Sequence, residues 1–176
     1  MGLLEQLDYQ MRPASRLQRR LQNAASQPWV GSLLSKTLHP LDRAAFKVTS
    51  GRHTVAGLLA GLPVIMVTTV GAKSGEERRM PLLGIPMGGE LAVIGSNFGT
   101  QSTPGWVYNL EADPHGAVGF RDRMVAVTAR RADSDETERA FDLATTVYRA
   151  FPAYRERAAH RDIRVFILAA ADGTSR

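Results

Sequence analysis

Residues 64–82 read VIMVTTVGAKSGEERRMPL. Val64 to Val70 is a β-branched, apolar run of the length a buried strand takes. Gly71-Ala72-Lys73-Ser74-Gly75 is turn chemistry, and Arg79 to Ile85 reads as a returning strand closed by Pro86-Met87-Gly88-Gly89. A tight tip between two strands exposes backbone N–H groups, and a concave backbone of that kind holds anions. Lys73 adds a point charge and Ser74 a hydroxyl donor. Arg78 and Arg79 fall on opposite faces of the returning strand, so only one of them faces such a site. Arginine suits forked contacts with phosphate or carboxylate.

The pattern continues in short strands. Leu91 to Ile94 is one, ending in Gly95-Ser96-Asn97-Phe98-Gly99. Pro104 to Leu110 reads as a short helix, since proline is favoured in a first turn. Asp113-Pro114-His115-Gly116 reads as a turn. Ala117 to Phe120 and Met124 to Ala129 read as strands around an Arg121-Asp122-Arg123 corner. A helix starts at Ser134 as N-cap, with Asp135 and Glu136 at the positive end of its dipole. Phe141, Ala144, Val147, Tyr148 and Phe151 mark its apolar face, and Pro152 ends or bends it. Val165 to Leu168 is the last strand. Six short strands with two helical insertions make an α+β chain, mainly β, that closes as a small barrel.

Before Leu62 the character differs. Leu3, Leu4, Leu7 and Met11 fall at helical spacing, Leu17 and Leu21 continue the stripe, and Pro13 interrupts it. Residues 1–61 hold eight Lys and Arg against three acids, whereas the other fourteen basic residues are matched by fourteen acids. The whole surplus of +5 is therefore N-terminal. The division is a helical, basic extension at 1–61 and a strand-rich unit at 62–176. The extension reads as a helix packed on the barrel; its charge also permits contact with anionic lipid. Its aromatic residues are too few and its bases too localised for a nucleic-acid face.

Several chemistries are excluded. There is no cysteine, which removes disulfides, thiolate metal sites and thiol nucleophiles, and fits a cytoplasmic setting. The N-terminus is not a secretory signal, and the apolar run from Val55 to Val70 is broken by Gly57, Gly61 and Pro63. No GxGxxG, Walker-type loop or GxSxG elbow is present. His39, His53, His115 and His160 are isolated, so no metal site is expected.

The segment Gly71 to Leu82 resembles the GxKSGxxRxxPL signature of the deazaflavin-dependent nitroreductase family, whose members are split β-barrels. Pro104-Gly105-Trp106-Val107-Tyr108-Asn109-Leu110-Glu111-Ala112-Asp113-Pro114 resembles that family's P-x-W-x-x-N-L-x-A-N-P block. The likeness covers roughly residues 62–170. It implies an FMN-binding-like split β-barrel that binds coenzyme F420 and passes its hydride to a small electron-poor acceptor such as a quinone, nitro compound or activated alkene. By position, Lys73, Ser74, Gly75, Arg78 and Pro81 would hold or border the coenzyme's phosphate and acidic tail. Ser96, Asn97, Phe98 and Gly99 would lie near the ring, and Trp106 and Asn109 would shape its pocket. Tyr148, Phe151 and Tyr154 resemble the family's aromatic triplet beside the acceptor, with Tyr148 and Tyr154 as candidate proton donors. The chain departs from the pattern at Asn97-Phe98, where Lys-Gly is frequent, and at Phe151, where tyrosine is common. Barrels of this kind often pair as homodimers. FMN in place of F420, or a non-catalytic coenzyme-binding protein at the membrane surface, are the other readings.

Overall fold

The computed structural model describes residues 1–10, 62–148 and 151–171. Seven antiparallel strands form one sheet: β1 (Val64–Val70), β2 (Glu77–Leu83), β3 (Ile85–Met87), β4 (Glu90–Ile94), β5 (His115–Phe120), β6 (Arg123–Arg131) and β7 (Val165–Ala170). Their order is β2-β1-β5-β6-β7-β4-β3. Four α-helices accompany them among the described residues: α1 (Leu3–Gln6), α2 (Gly105–Ala112), α3 (Ser134–Val147) and α4 (Phe151–Arg157).

The outermost strands, β2 and β3, are neighbours in the chain, parted only by Gly84. One residue can join opposite edges only if the sheet curls until they meet, which makes the split barrel. The returning strand expected as one piece from Arg79 to Ile85 is therefore two strands, and the described residues hold seven strands rather than six. Gly84 suits the corner because a side chain there would crowd its neighbours. A Cβ there would lie 3.1 Å from Ile65 Cγ2 and 3.2 Å from the Tyr9 hydroxyl, which donates a 2.6 Å hydrogen bond to the Gly84 carbonyl.

Strand alternation then builds two cores. Leu91 and Val93 of β4, with Phe166 and Leu168 of β7, join Ile65, Val67, Trp106 and Val118 inside the barrel. Ala92, Ile94, Val165 and Ile167 face the other way, onto Phe141, Ala144, Phe151 and Tyr154. Leu3 and Leu7 of the N-terminal stripe are also buried in the barrel core. Met11, Pro13, Leu17, Leu21 and the eight basic side chains before Leu62 lie outside the described residues.

Three local expectations shift. Strand β5 begins at His115, inside the expected Asp113–Gly116 turn. The N-cap of α3 is Asp133 rather than Ser134: its carboxylate accepts from the Glu136 N–H at 2.8 Å, and Glu136 accepts from the Asp133 N–H at 3.1 Å. This reciprocal capping box wins because Glu136 sits at the required third position. The fork of Arg130 on Glu136, at 2.6 and 2.7 Å, holds that carboxyl down to about 2 and ties the helix to β6. Finally, α3 stops at Val147, well before Pro152. Thr145-Thr146-Val147 is a β-branched run, and the two hydroxyls bond the carbonyls of Phe141 and Leu143. Pro152 instead lies in the first turn of α4, where its missing N–H costs nothing. Phe151 thus belongs to α4 and not to the apolar face of α3.

Candidate active site

A cavity of about 390 Å³ opens where the edge of β2 meets the end of β4. Met80 to Leu83 form one wall, and Pro104, Gly105 and Trp106 at the start of α2 form another. Ser96, Asn97 and Phe98 close a third side, and Tyr148, Phe151 and Tyr154 cover the remainder. Eight of the residues expected at a site thus share one space: Pro81, Ser96, Asn97, Phe98, Trp106, Tyr148, Phe151 and Tyr154.

The polar groups of the cavity are few. The hydroxyls of Tyr148 and Tyr154 lie 3.2 Å apart, both side chains buried. Burial pushes both phenols above their ordinary range, and the nearby Arg157 guanidinium, over the Tyr154 ring at 5.2 Å, opposes part of that rise. Tyr9, hidden behind Gly84, is raised by burial as well. Unfolded phenols ionise near 10, before the native ones. The stability these groups contribute is therefore complete below about pH 10 and lost as pH climbs above it, by up to about 1.4 kcal/mol per pH unit for each phenol. Melting temperature is expected to be flat up to about pH 9.5 and to fall beyond it, less steeply in Tyr148→Phe. An equally steep fall in that variant refutes the assignment.

The hairpin tip lies at the other end of β2. Arg78 precedes Pro81 by three residues, about 10 Å along the strand. Lys73 is exposed, and none of the described residues pairs with it. Arg78 bonds Glu76 at 2.8 Å and the Ser74 hydroxyl at 3.2 Å, while Arg79 turns to Glu77 at 2.8 Å. Gly75 takes the left-handed φ of +67° that the turn needs. The expected cradle of free N–H groups is absent, however. The Gly71 N–H bonds the Glu76 carbonyl, those of Ser74 and Gly75 bond the Gly71 carbonyl, and that of Glu76 bonds Ser74 Oγ. So tight a turn closes largely on itself, with the Lys73 N–H unpaired among the described residues, and an anion at the tip would meet mainly side chains.

Asn109 does not line the cavity. One turn beyond Trp106, its amide accepts from the Ala72 N–H at 3.0 Å and donates to Thr69 Oγ1 at 3.0 Å. It anchors the tip to α2. Asn109→Ala strips the buried Thr69 hydroxyl and the Ala72 N–H of their partner, so unfolding free energy should drop by about 1–3 kcal/mol in denaturant titrations; an unchanged midpoint would contradict this role. Gly99 is likewise outside the cavity, pressed onto α4: a Cβ there would meet Arg157 Cβ at 2.9 Å.

The model of the F420H(2)-dependent quinone reductase family matches residues 42–170, most of the chain. The chain belongs to that family. It is therefore an oxidoreductase, and coenzyme F420 is its family's cofactor. An F420H(2)-dependent quinone reductase of Mycobacterium tuberculosis is 28% identical over 104 residues, which are 58% of this chain and 68% of that one. A solved F420-H2 dependent reductase is 34% identical with a TM-score of 0.55, over 60% of this chain and 93% of that one. A second solved structure, a domain-swapped dimer, is 30% identical with a TM-score of 0.57, over 73% of this chain and 98% of its own.

The residues of this quinone reductase family member suit a flat ring with an acidic tail. The cavity volume falls in the range of small-molecule sites, and its walls are mostly apolar with a few convergent polar groups. An exposed, uncommitted lysine stands on the same hairpin. Sequence reasoning missed Arg161, which donates to the carbonyls of Gly95, Ser96 and Thr100 at 3.1, 2.8 and 3.3 Å. No local signal marks it, because its partners lie more than sixty residues away.

Proposed function

We propose that this chain takes a hydride from reduced F420 and delivers it to a quinone, with nitro compounds and activated alkenes as further acceptors. The observation that carries this reading is the buried tyrosine pair in an apolar cavity walled by one end of β2, whose other end bears Arg78 and adjoins the tip with Lys73. When bound, the reduced coenzyme supplies a hydride from its ring. Lys73, Ser74 and Arg78 would hold its phosphate and acidic tail through their side chains, Gly75 would give the tip its turn, and Pro81 and Trp106 would flank the ring. Such remote anchoring turns binding energy into orientation at the reacting end.

The tyrosines deal with the charge that hydride transfer leaves on an acceptor oxygen. Burial keeps both phenols protonated at neutral pH, so either can donate a hydrogen bond and then a proton. The 3.2 Å contact lets one hydroxyl refill the other. Ser96, buried at the cavity edge, offers a further hydroxyl.

A homodimer is part of the proposal, supported by the relative solved as a domain-swapped dimer. So is a cytoplasmic setting. No helix among the described residues is long and apolar enough to cross a membrane. Because Leu3 and Leu7 are spent on the core, contact with lipid would rest on residues 11–61.

Titration with F420 and FMN in parallel, followed by anaerobic assay of F420H2 with quinones, nitroaromatics and unsaturated ketones, tests the reading. Expected are F420 binding at least about tenfold tighter than FMN, a gap of about 1.4 kcal/mol, and turnover with quinones. Tighter FMN binding, or bound F420H2 that no acceptor oxidises, would overturn it.

A further inference from the structure

We infer that Phe98 sets the size of acceptor this enzyme takes, and that Arg161 is the positioning residue that holds it in place; the inference rests on the proposed quinone reductase activity. The loop between β4 and α2 contains three successive left-handed residues: Asn97 at φ +47°, Phe98 at +56° and Gly99 at +77°. Glycine adopts that backbone freely, asparagine with modest cost, and phenylalanine poorly. A strained aromatic residue persists only where its surroundings over-determine it, and such strain gathers at functional sites.

Three separate contacts do so here. The Arg161 fork grips three carbonyls of the loop, and none of the described carboxylates forms an ion pair with it. Gly99 lets the loop approach α4 so closely that a side chain there would collide with Arg157 Cβ and Tyr154 Cα, at 2.9 and 3.2 Å. Asn97 Nδ2 donates to the Ser102 carbonyl at 3.0 Å and lies 3.2 Å from its hydroxyl. The outcome is one placement: the Phe98 ring lines the cavity edge-on to Tyr154, with centroids 6.0 Å apart. Phe98 thus shares the cavity with the hydroxyl pair, its ring packed against that of Tyr154, and an acceptor oxygen that receives a proton from the pair must lie in that same cavity. A bulky substituent on the acceptor would meet that ring.

The test compares naphthoquinone with a phenyl-substituted naphthoquinone. Binding is measured by calorimetry on the full chain without coenzyme, and kcat/KM with F420H2. Phe98→Gly should lower the ratio of the two dissociation constants by about tenfold in favour of the larger quinone, with the kcat/KM ratio moving in step. Phe98→Leu, which keeps most of the bulk, should leave both ratios within about twofold of the natural chain. Arg161→Met should speed amide hydrogen exchange across residues 96–100 and move both ratios in the direction of Phe98→Gly. Arg161→Lys should not rescue, because a single ammonium cannot reproduce a fork across three carbonyls. If Phe98→Gly binds both quinones with the natural ratio, the size limit lies elsewhere and the inference is wrong. If the natural chain binds both quinones, the smaller more tightly, and Phe98→Gly shifts the ratio as expected, but F420H2 is never oxidised, the proposed activity fails while the placement of Phe98 stands. If it binds neither quinone, both fall.

Discussion

Lys73→Ala combined with Arg78→Ala is expected to weaken F420 binding by at least about a hundredfold while leaving the melting temperature unchanged. The magnitude follows from the closure of the hairpin tip. Its N–H groups at Gly71, Ser74, Gly75 and Glu76 bond within the turn, and that of Ala72 bonds Asn109. With only the Lys73 N–H of the tip unpaired among the described residues, an acidic tail would be held mainly by side chains. Charge-assisted hydrogen bonds contribute about 1.5–3 kcal/mol each, so losing two costs about a hundredfold or more in affinity. Stability should not follow, because both side chains are exposed.

The two residues are not equivalent. Arg78 is already engaged by Glu76 and must exchange that partner for the ligand. Lys73→Ala alone should therefore cost more than Arg78→Ala, and Glu76→Gln should tighten binding a few-fold by releasing the arginine. The affinity should also fall with added salt, as exposed charge contacts do. Fluorescence titration of the bound coenzyme measures all of these. A double variant that titrates like the natural chain would remove the tip from the site.

Tyr148→Phe and Tyr154→Phe should each lower kcat by about a hundred- to a thousandfold, with coenzyme affinity changed by less than about twofold. Each substitution leaves the ring packing in place and removes one hydroxyl of the pair. If the hydroxyls act as a relay, breaking either link breaks it, so the double variant should be no slower than the worse single one. Additive losses would mean two independent donors. Full activity in both single variants would assign the proton to water and leave the pair a packing role. Single-turnover hydride transfer separates these outcomes from slow product release.

Much of the candidate site was legible because its parts are local. Pro81 follows a tip with two glycines, Trp106 follows Pro104 into a short helix, and the three aromatic residues recur at spacing three. Their convergence on one cavity is what the resemblance implied. Asn109 carried the same sequence signal as Trp106, yet one turn further along the helix the neighbouring groups are Thr69 of β1 and Ala72 of the tip, and its amide is taken up by them instead of by the cavity. The spacing of Tyr148 and Phe151 suggested one helix face. The aromatic residues nonetheless meet across a break, since the β-branched run at Thr145 to Val147 ends α3 early.

By itself the sequence determined β1 to the residue, the turn that follows it, Phe141 and Ala144 on the apolar face of α3, and the absence of thiol chemistry. These are written in the side-chain periodicity and backbone preferences of adjacent residues, which act over a few positions whatever the rest of the chain does. Only the tertiary structure decided that Gly84 folds one sheet edge onto the other, that the tip engages most of its own N–H groups, and that Arg161 reaches back 61 to 66 residues to fasten a strained loop. Those contacts exist because a curled sheet with outer strands β2 and β3 brings distant segments together. Composition and spacing carry no record of which distant backbone groups will then be left needing a partner.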